Sequence, residues 1–186
     1  MRTRDENKEQ SIFDATISLT IEEGLQGLSM SKIAKRAKVS AATIYIYYAN
    51  KEDLLDKVYV EVKKQLSRYM NAKLNSDMHS EQLIKQFLQN IYEFMKDYRS
   101  YMLFIEQYSM SPSISVNTTP MFKDLFEYFE RGVAQKELKP LSTYLLASYC
   151  YLPIMQLAKD ADTKNEEGIE GMFRQICELS WSAIKY

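Results

Sequence analysis

Histidine occurs once in this chain, at His79, and cysteine twice, at Cys150 and Cys177. With one imidazole and no Cys-x-x-Cys pair, there is no material for a zinc site of the Cys/His kind or for a histidine-based catalytic triad. No compact acidic cluster offers paired carboxylates instead. No enzyme activity, metal or cofactor is therefore expected, and the two thiols read as packed groups of a reduced protein. Glycine and proline are also scarce, at five and four of 186 residues, which leaves few turns and favours long helices over many short strands. No apolar run approaches the ~20 residues that a membrane span needs. The charged start, Met1 to Lys8, leads into no apolar signal core. A cytoplasmic address and no membrane partner are expected, with Arg2 and Arg4 on a solvated end.

What is present suits a folded globular protein: 46% hydrophobic and 26% charged residues. The net charge of -1 is uninformative, but its distribution is not. Residues 1–75 hold thirteen Lys/Arg against ten Asp/Glu, and the remainder eleven against fifteen. No acidic residue lies between Glu23 and Glu52, while Lys32, Lys35, Arg36, Lys38 and Lys51 all fall there. A segment that meets phosphates has this character, although a solvated positive helix face has it too.

Apolar periodicity predicts helices throughout. Ile12, Ala15, Thr16 and Leu19 form a first stripe, which Gly24 is placed to stop, with Gly27 in the connection. Ser29 is an N-cap for a second helix carrying Ile33, Ala34 and Ala37, and Ser40 for a third carrying Ile44, Tyr47 and Tyr48. Asn50 caps a long fourth helix from Lys51 through Met70. Further helices are predicted after Ser80, from Tyr98 to Met110, from Pro120 at N1 toward Gly132, from near Pro140 with a bend at Pro153, and after Asn165. Ser113 to Pro120 is the best candidate loop. No strand, repeat or low-complexity segment is found. The fold class is all-α.

The informative segment runs from Leu28 to Leu55. Ala34 is small where two helices must cross closely, and Ile33, Ala37, Val39 and Ile44 supply the seam between them. A tight turn at Lys38-Val39 separates two capped helices too short to be stable alone. That is the physics of a helix-turn-helix, whose second helix can enter a major groove. Residues 8 to 56 closely resemble the TetR family of bacterial transcriptional regulators, most specifically in Ile44-Tyr-Ile-Tyr-Tyr-Ala-Asn-Lys51-Glu-Asp-Leu-Leu55. The resemblance implies an N-terminal three-helix DNA-binding head, residues 1–50, joined by a long helix to a larger helical regulatory domain, residues 51–186. It also implies a homodimer acting on double-stranded, palindromic operator DNA as a ligand-released repressor.

The DNA contacts implied by the resemblance are Ser29, Ser31, Ser40, Ala41, Ala42, Thr43, Tyr45, Tyr47 and Lys51. Ser29 would cap the second helix and touch phosphate, Ala41, Ala42, Thr43 and Tyr45 would face the groove, and Tyr47 and Lys51 would grip the backbone. Two residues depart from the family pattern. Lys38 stands where glycine is usual, so a residue with a β-carbon must accept that turn. Ala41 replaces a common basic residue, and no Arg, Lys, Asn or Gln lies between residues 39 and 49, so the usual bidentate base contacts are missing. Reading through thymine methyls, Thr43, Tyr45 and DNA shape is expected.

After residue 75 the chain is rich in Phe, Tyr and Met. Such a stripe packs a core, and between helices it also lines cavities for an apolar or aromatic ligand. With the family resemblance, the candidate pocket residues are Phe87, Tyr98, Met102, Tyr108, Phe126 and Tyr149. The last two helices each carry an apolar face, which the resemblance assigns to dimerisation. A DNA-associated helical adaptor, acting through a partner protein without a small-molecule inducer, is the alternative.

Overall fold

The computed structural model describes residues 4–186, with side chains from Glu6 onward; Arg2 and the side chain of Arg4 fall outside the described residues. Nine α-helices lie among the described residues: α1 Arg4–Gly27, α2 Met30–Ala37, α3 Ala41–Tyr47, α4 Lys51–Asn71, α5 Ser80–Asp97, α6 Arg99–Ser109, α7 Lys123–Ala134, α8 Thr143–Asp160 and α9 Glu166–Ile184. The sole β pairing among them is an isolated bridge between Leu138 and Lys185. None of these helices is long and apolar enough to cross a membrane.

Several boundaries differ from the sequence reading. Gly24 breaks α1 as expected, at φ 72°, but one further turn follows to Gly27. Pro120 does not start an α-helix. It sits in a 3-10 turn, Thr119–Phe122, that leads into α7 three residues later. The helix expected near Pro140 begins at Thr143, because Leu138 to Leu141 are drawn into a bridge and turns beside the C-terminal residues.

The chain divides into two compact units. The first comprises residues 1–63 and 100–117, the second residues 64–99 and 118–186. The expected functional border at residue 50 lies inside the first unit.

In the first unit, α1 packs on α2 and α2 on α3 around Ile12, Leu19, Ile33, Ala34 and Ile44, all buried. Thr16 and Thr20 are buried as well, each hydroxyl donating back to the carbonyl four residues earlier (2.8 and 2.7 Å), so neither leaves an open polar group. Phe13 meets Tyr101 of α6 edge-on, with ring centres 5.6 Å apart. A polar knot lies beneath. Asp56 of α4 is buried, and its carboxylate accepts from the Tyr108 hydroxyl at 2.8 Å and from the hydroxyl and amide of Ser115. Burial and the Asp56 carboxylate raise the Tyr108 phenol far above its ordinary value, so it stays a donor.

The second unit is an aromatic-rich helical core. Phe87 and Phe129 meet edge to face at 5.6 Å, and Tyr92 stacks on Phe173 at 4.0 Å. Gly132 permits the close approach of α7 to α5, since a β-carbon there would lie 2.6 Å from Ser80 Oγ and 2.7 Å from Leu138 Cδ1. Glu137 caps α5 from a distant point in sequence: its carboxylate accepts from the Ser80 amide at 2.9 Å and lies 3.3 Å from His79 Nδ1. Those bonds, the Ser80 amide first, hold its carboxyl at about 2. Cys150 is buried, which pushes its thiol up to about 12 and keeps it protonated.

Candidate nucleic-acid interface

Short helices need anchors at both ends, and α2 and α3 have them. The Ser29 hydroxyl accepts from the Lys32 amide at 3.3 Å, and the Ser40 hydroxyl from the Thr43 amide at 3.0 Å. Between the helices Lys38 adopts the left-handed conformation (φ 55°, ψ 40°). Its amide and that of Val39 donate to Lys35 and Ala34 carbonyls, closing α2. Lysine fills a place that glycine fills at lower steric cost, as the spacing required.

The junction into α4 is built with equal care. Asn50 Oδ1 accepts from the Asp53 amide, and Asp53 Oδ2 accepts from the Ala49 amide, both at 2.8 Å, a reciprocal cap. The Ala49 amide is the main reason the Asp53 carboxyl titrates below its ordinary range. Lys57 Nζ then reaches the Tyr47 carbonyl at 3.1 Å and Asp53 at 3.0 Å, tying the end of α3 to α4. Lys51, the first residue of α4, is held half-buried by this frame.

The expected contact residues fall at three successive helix starts and along α3. Ser29, Ser31, Ser40, Ala41, Ala42 and Tyr45 are exposed; Thr43, Tyr47 and Lys51 are half-buried. Thr43 Oγ1 lies 2.8 Å from Ser40 Oγ, so its hydroxyl is engaged within the cap. Tyr48 is buried in the core, and burial raises its phenol to about 12.

The charge pattern is altered by folding. Two of the five basic residues in the acid-free stretch meet carboxylates from α1: Arg36 forms a two-pronged bond with Glu22 (2.8 and 2.6 Å), and Lys32 pairs with Glu23. The bond to Arg36 lowers the Glu22 carboxyl and raises the guanidinium. Lys35 and Lys38 are exposed and make no ion pair among the described residues. Sequence reasoning also passed over Ile46, which is 76% exposed on α3. The signal was available: Ile46 lies four residues after Ala42, on the same helix face.

The candidate pocket residues do not share one environment. Met102 and Tyr108 belong to the first unit, where both are fully buried. Phe87, Tyr98, Phe126 and Tyr149 belong to the second, where Phe87 is core, Tyr98 and Phe126 are half-buried and Tyr149 is exposed. A cleft of about 640 Å³ in the first unit is lined instead by residues such as Glu23, Leu25, Lys51, Leu55, Gln107 and Met110.

Comparison with known proteins agrees with this geometry. Residues 12–58 match the bacterial regulatory proteins of the tetR family, and residues 80–185 the tetracyclin repressor-like C-terminal domain. An uncharacterized transcriptional regulator of helix-turn-helix type from Haemophilus influenzae is 30% identical over the full length of both chains. A TetR-family regulator from Marinobacter aquaeolei has the same fold, with a TM-score of 0.85 at 23% identity, covering all of this chain and 99% of the other. The crystal structure of a TetR-family transcriptional regulator from H. influenzae superposes with a TM-score of 0.78 at 27% identity, covering both chains in full.

Proposed function

The chain belongs to the TetR family of DNA-binding transcriptional regulators, and on that premise we propose that it is a ligand-released repressor acting as a homodimer on a palindromic operator. The observation that carries the reading is the α2–α3 pair, doubly capped and closed by a left-handed turn, whose second helix leaves Ala41, Ala42, Tyr45 and Ile46 uncovered. In the proposed complex α3 enters the major groove, Ser29, Ser31 and Ser40 meet phosphates at the helix starts, and Tyr47 and Lys51 hold the backbone.

One such head makes too few contacts for tight specific binding, and a two-fold dimer supplies a second half-site ~34–36 Å away. In the second unit, α8 and α9 pack together and leave Leu145, Tyr149, Leu152 and Leu179 exposed, which supports pairing through these helices. Function divides at residue 50 in this scheme: residues 1–50 bind DNA, while residues 51–186 pair the subunits and sense a small apolar or aromatic ligand. Its proposed contacts are Tyr98 and Phe126, the two expected pocket residues left half-buried in the second unit. Ligand binding acts through α4 to change half-site spacing, at a coupling of about 1–3 kcal/mol.

The test is selection of bound sequences from random duplex DNA at near-cellular salt. A palindromic consensus is expected. Recovery of no preferred sequence would overturn the assignment.

A further inference from the structure

The side of α3 that nothing else in the first unit covers consists of Ala41, Ala42, Tyr45 and Ile46. Ala41 with Tyr45, and Ala42 with Ile46, are four residues apart and therefore neighbours on the surface. Ile44, on the opposite side, is fully buried and anchors the helix. Ile46 is 76% exposed and Tyr45 56%, so neither is spent on the core. With Ala41, Ala42 and Tyr45 beside it, Ile46 forms part of a contiguous apolar face rather than a lone exposed side chain.

The chemistry of this face is narrow. Thr43 is half-buried with its hydroxyl 2.8 Å from Ser40 Oγ, which leaves the Tyr45 hydroxyl as the sole side-chain hydrogen-bonding group on the exposed side. The bidentate partners of guanine and adenine, Arg, Lys, Asn and Gln, are absent from residues 39 to 49. What the face offers is methyl and methylene surface. In the major groove one base presents a complementary group, the C5-methyl of thymine. The surroundings favour a duplex over an apolar protein partner. Lys35 and Lys38 are exposed without ion pairs among the described residues, and no carboxylate occurs in the chain from residue 24 to 51.

We propose that Ile46, with Ala41 and Ala42, selects the operator by packing against thymine methyl groups, so that each half-site carries T·A pairs beneath this face. Ile46 is the specificity-determining residue of the site. This rests on the reading of α3 as the groove-entering helix, and to the expected reading of thymine methyls it adds the side chain that performs it.

The experiment uses the full chain and the selected operator. Each thymine of a half-site is replaced in turn by deoxyuridine, which keeps every hydrogen-bonding group and removes the methyl alone. At one to three positions the affinity should fall about fourfold per methyl, the worth of one buried methylene-sized group. Ile46→Ala should lose a similar factor on the thymine operator and nothing further on the deoxyuridine one, a coupling that a double-mutant cycle reads directly. Substituting 5-methylcytosine for cytosine at a T→C-mutated position should recover part of the loss. Unchanged affinity on deoxyuridine operators, or additive losses in the cycle, overturns the proposal while leaving the regulator intact. So does a selected half-site with no thymine beneath α3. A selection that returns no preferred duplex removes both the proposal and the reading beneath it. Deoxyuridine operators test the unaltered protein, so the outcome does not depend on the variant folding.

Discussion

Two uncovered apolar faces, one on α3 and one on α8, are made of similar side chains and are read as meeting different partners. Ile46 and Tyr45 sit in a stretch with no carboxylate between Glu23 and Glu52 and with exposed lysines at 35 and 38. Leu141, Tyr144, Leu145, Tyr149 and Leu152 sit in a segment, residues 140–158, with no charged residue of either sign. Exposed apolar area therefore does not identify a partner by itself. The charge around it does: cations beside a small apolar ridge suit a phosphate-flanked groove, and the lack of charge suits burial against another protein surface, where stranded charges are expensive.

The comparison breaks most visibly at Leu145. Leu145→Glu places a carboxylate in the uncharged face, and light scattering should then report monomers, with operator affinity reduced by about a hundredfold as the paired half-sites are lost. Helicity should be unchanged because the side chain is already exposed. A persistent dimer would show that α8 meets something else. Next in size, Lys51→Ala should weaken binding to all sequences alike, by about tenfold per half-site near ~0.1 M salt, with a salt slope shallower by about 0.9 per lost phosphate contact. A filter-binding series checks both quantities, and an unchanged slope removes Lys51 from the phosphate contacts.

A smaller effect sharpens the electrostatic side. Glu22→Gln releases Arg36 from its two-pronged bond, so binding to random duplex should strengthen by about threefold or less and its salt slope should steepen. Weaker binding would mean that the pair serves by holding α1 to α2. The smallest effect lies away from both faces. Because the Glu137 carboxyl is held at about 2, its contribution is complete above the ordinary carboxyl range and is lost as the pH falls through about 2. Thermal melts from pH 6 down to pH 2 should thus lose less stability in Glu137→Gln than in the parent, with DNA binding at neutral pH unaltered.

What could be read from the chain was what is local. The caps at Ser29, Ser40 and Asn50 and the strained place of Lys38 follow from interactions within about four residues, and each is found as expected. The buried seam of Ile33, Ala34, Ala37 and Ile44 follows from helical period, whereas Val39, expected in it, lies in the turn and stays half-buried. Relations across long separations were not legible. Glu22 and Glu23 lie outside the acid-free stretch in sequence, yet folding returns them to Arg36 and Lys32. Glu137 caps α5 across an interval that no periodicity spans. Individual pocket residues were equally out of reach, since aromatic content does not distinguish the packed Phe87 from the exposed Tyr149.

The knot at Asp56 bears on how this regulator can be taken apart. Its donors, Tyr108 and Ser115, come from residues 100–117, which belong to the first unit although residues 64–99 do not. A fragment ending at residue 63 loses both donors together with the segment that carries them, and it uncovers Phe13 and Tyr59, whose rings meet Tyr101 and Tyr108 edge-on, against a stability that is small to begin with. The natural cassette for transplantation is discontinuous. A chimera that borrows this recognition helix must also borrow the later segment, and a clean cut behind the fourth helix yields a graft without its foundation.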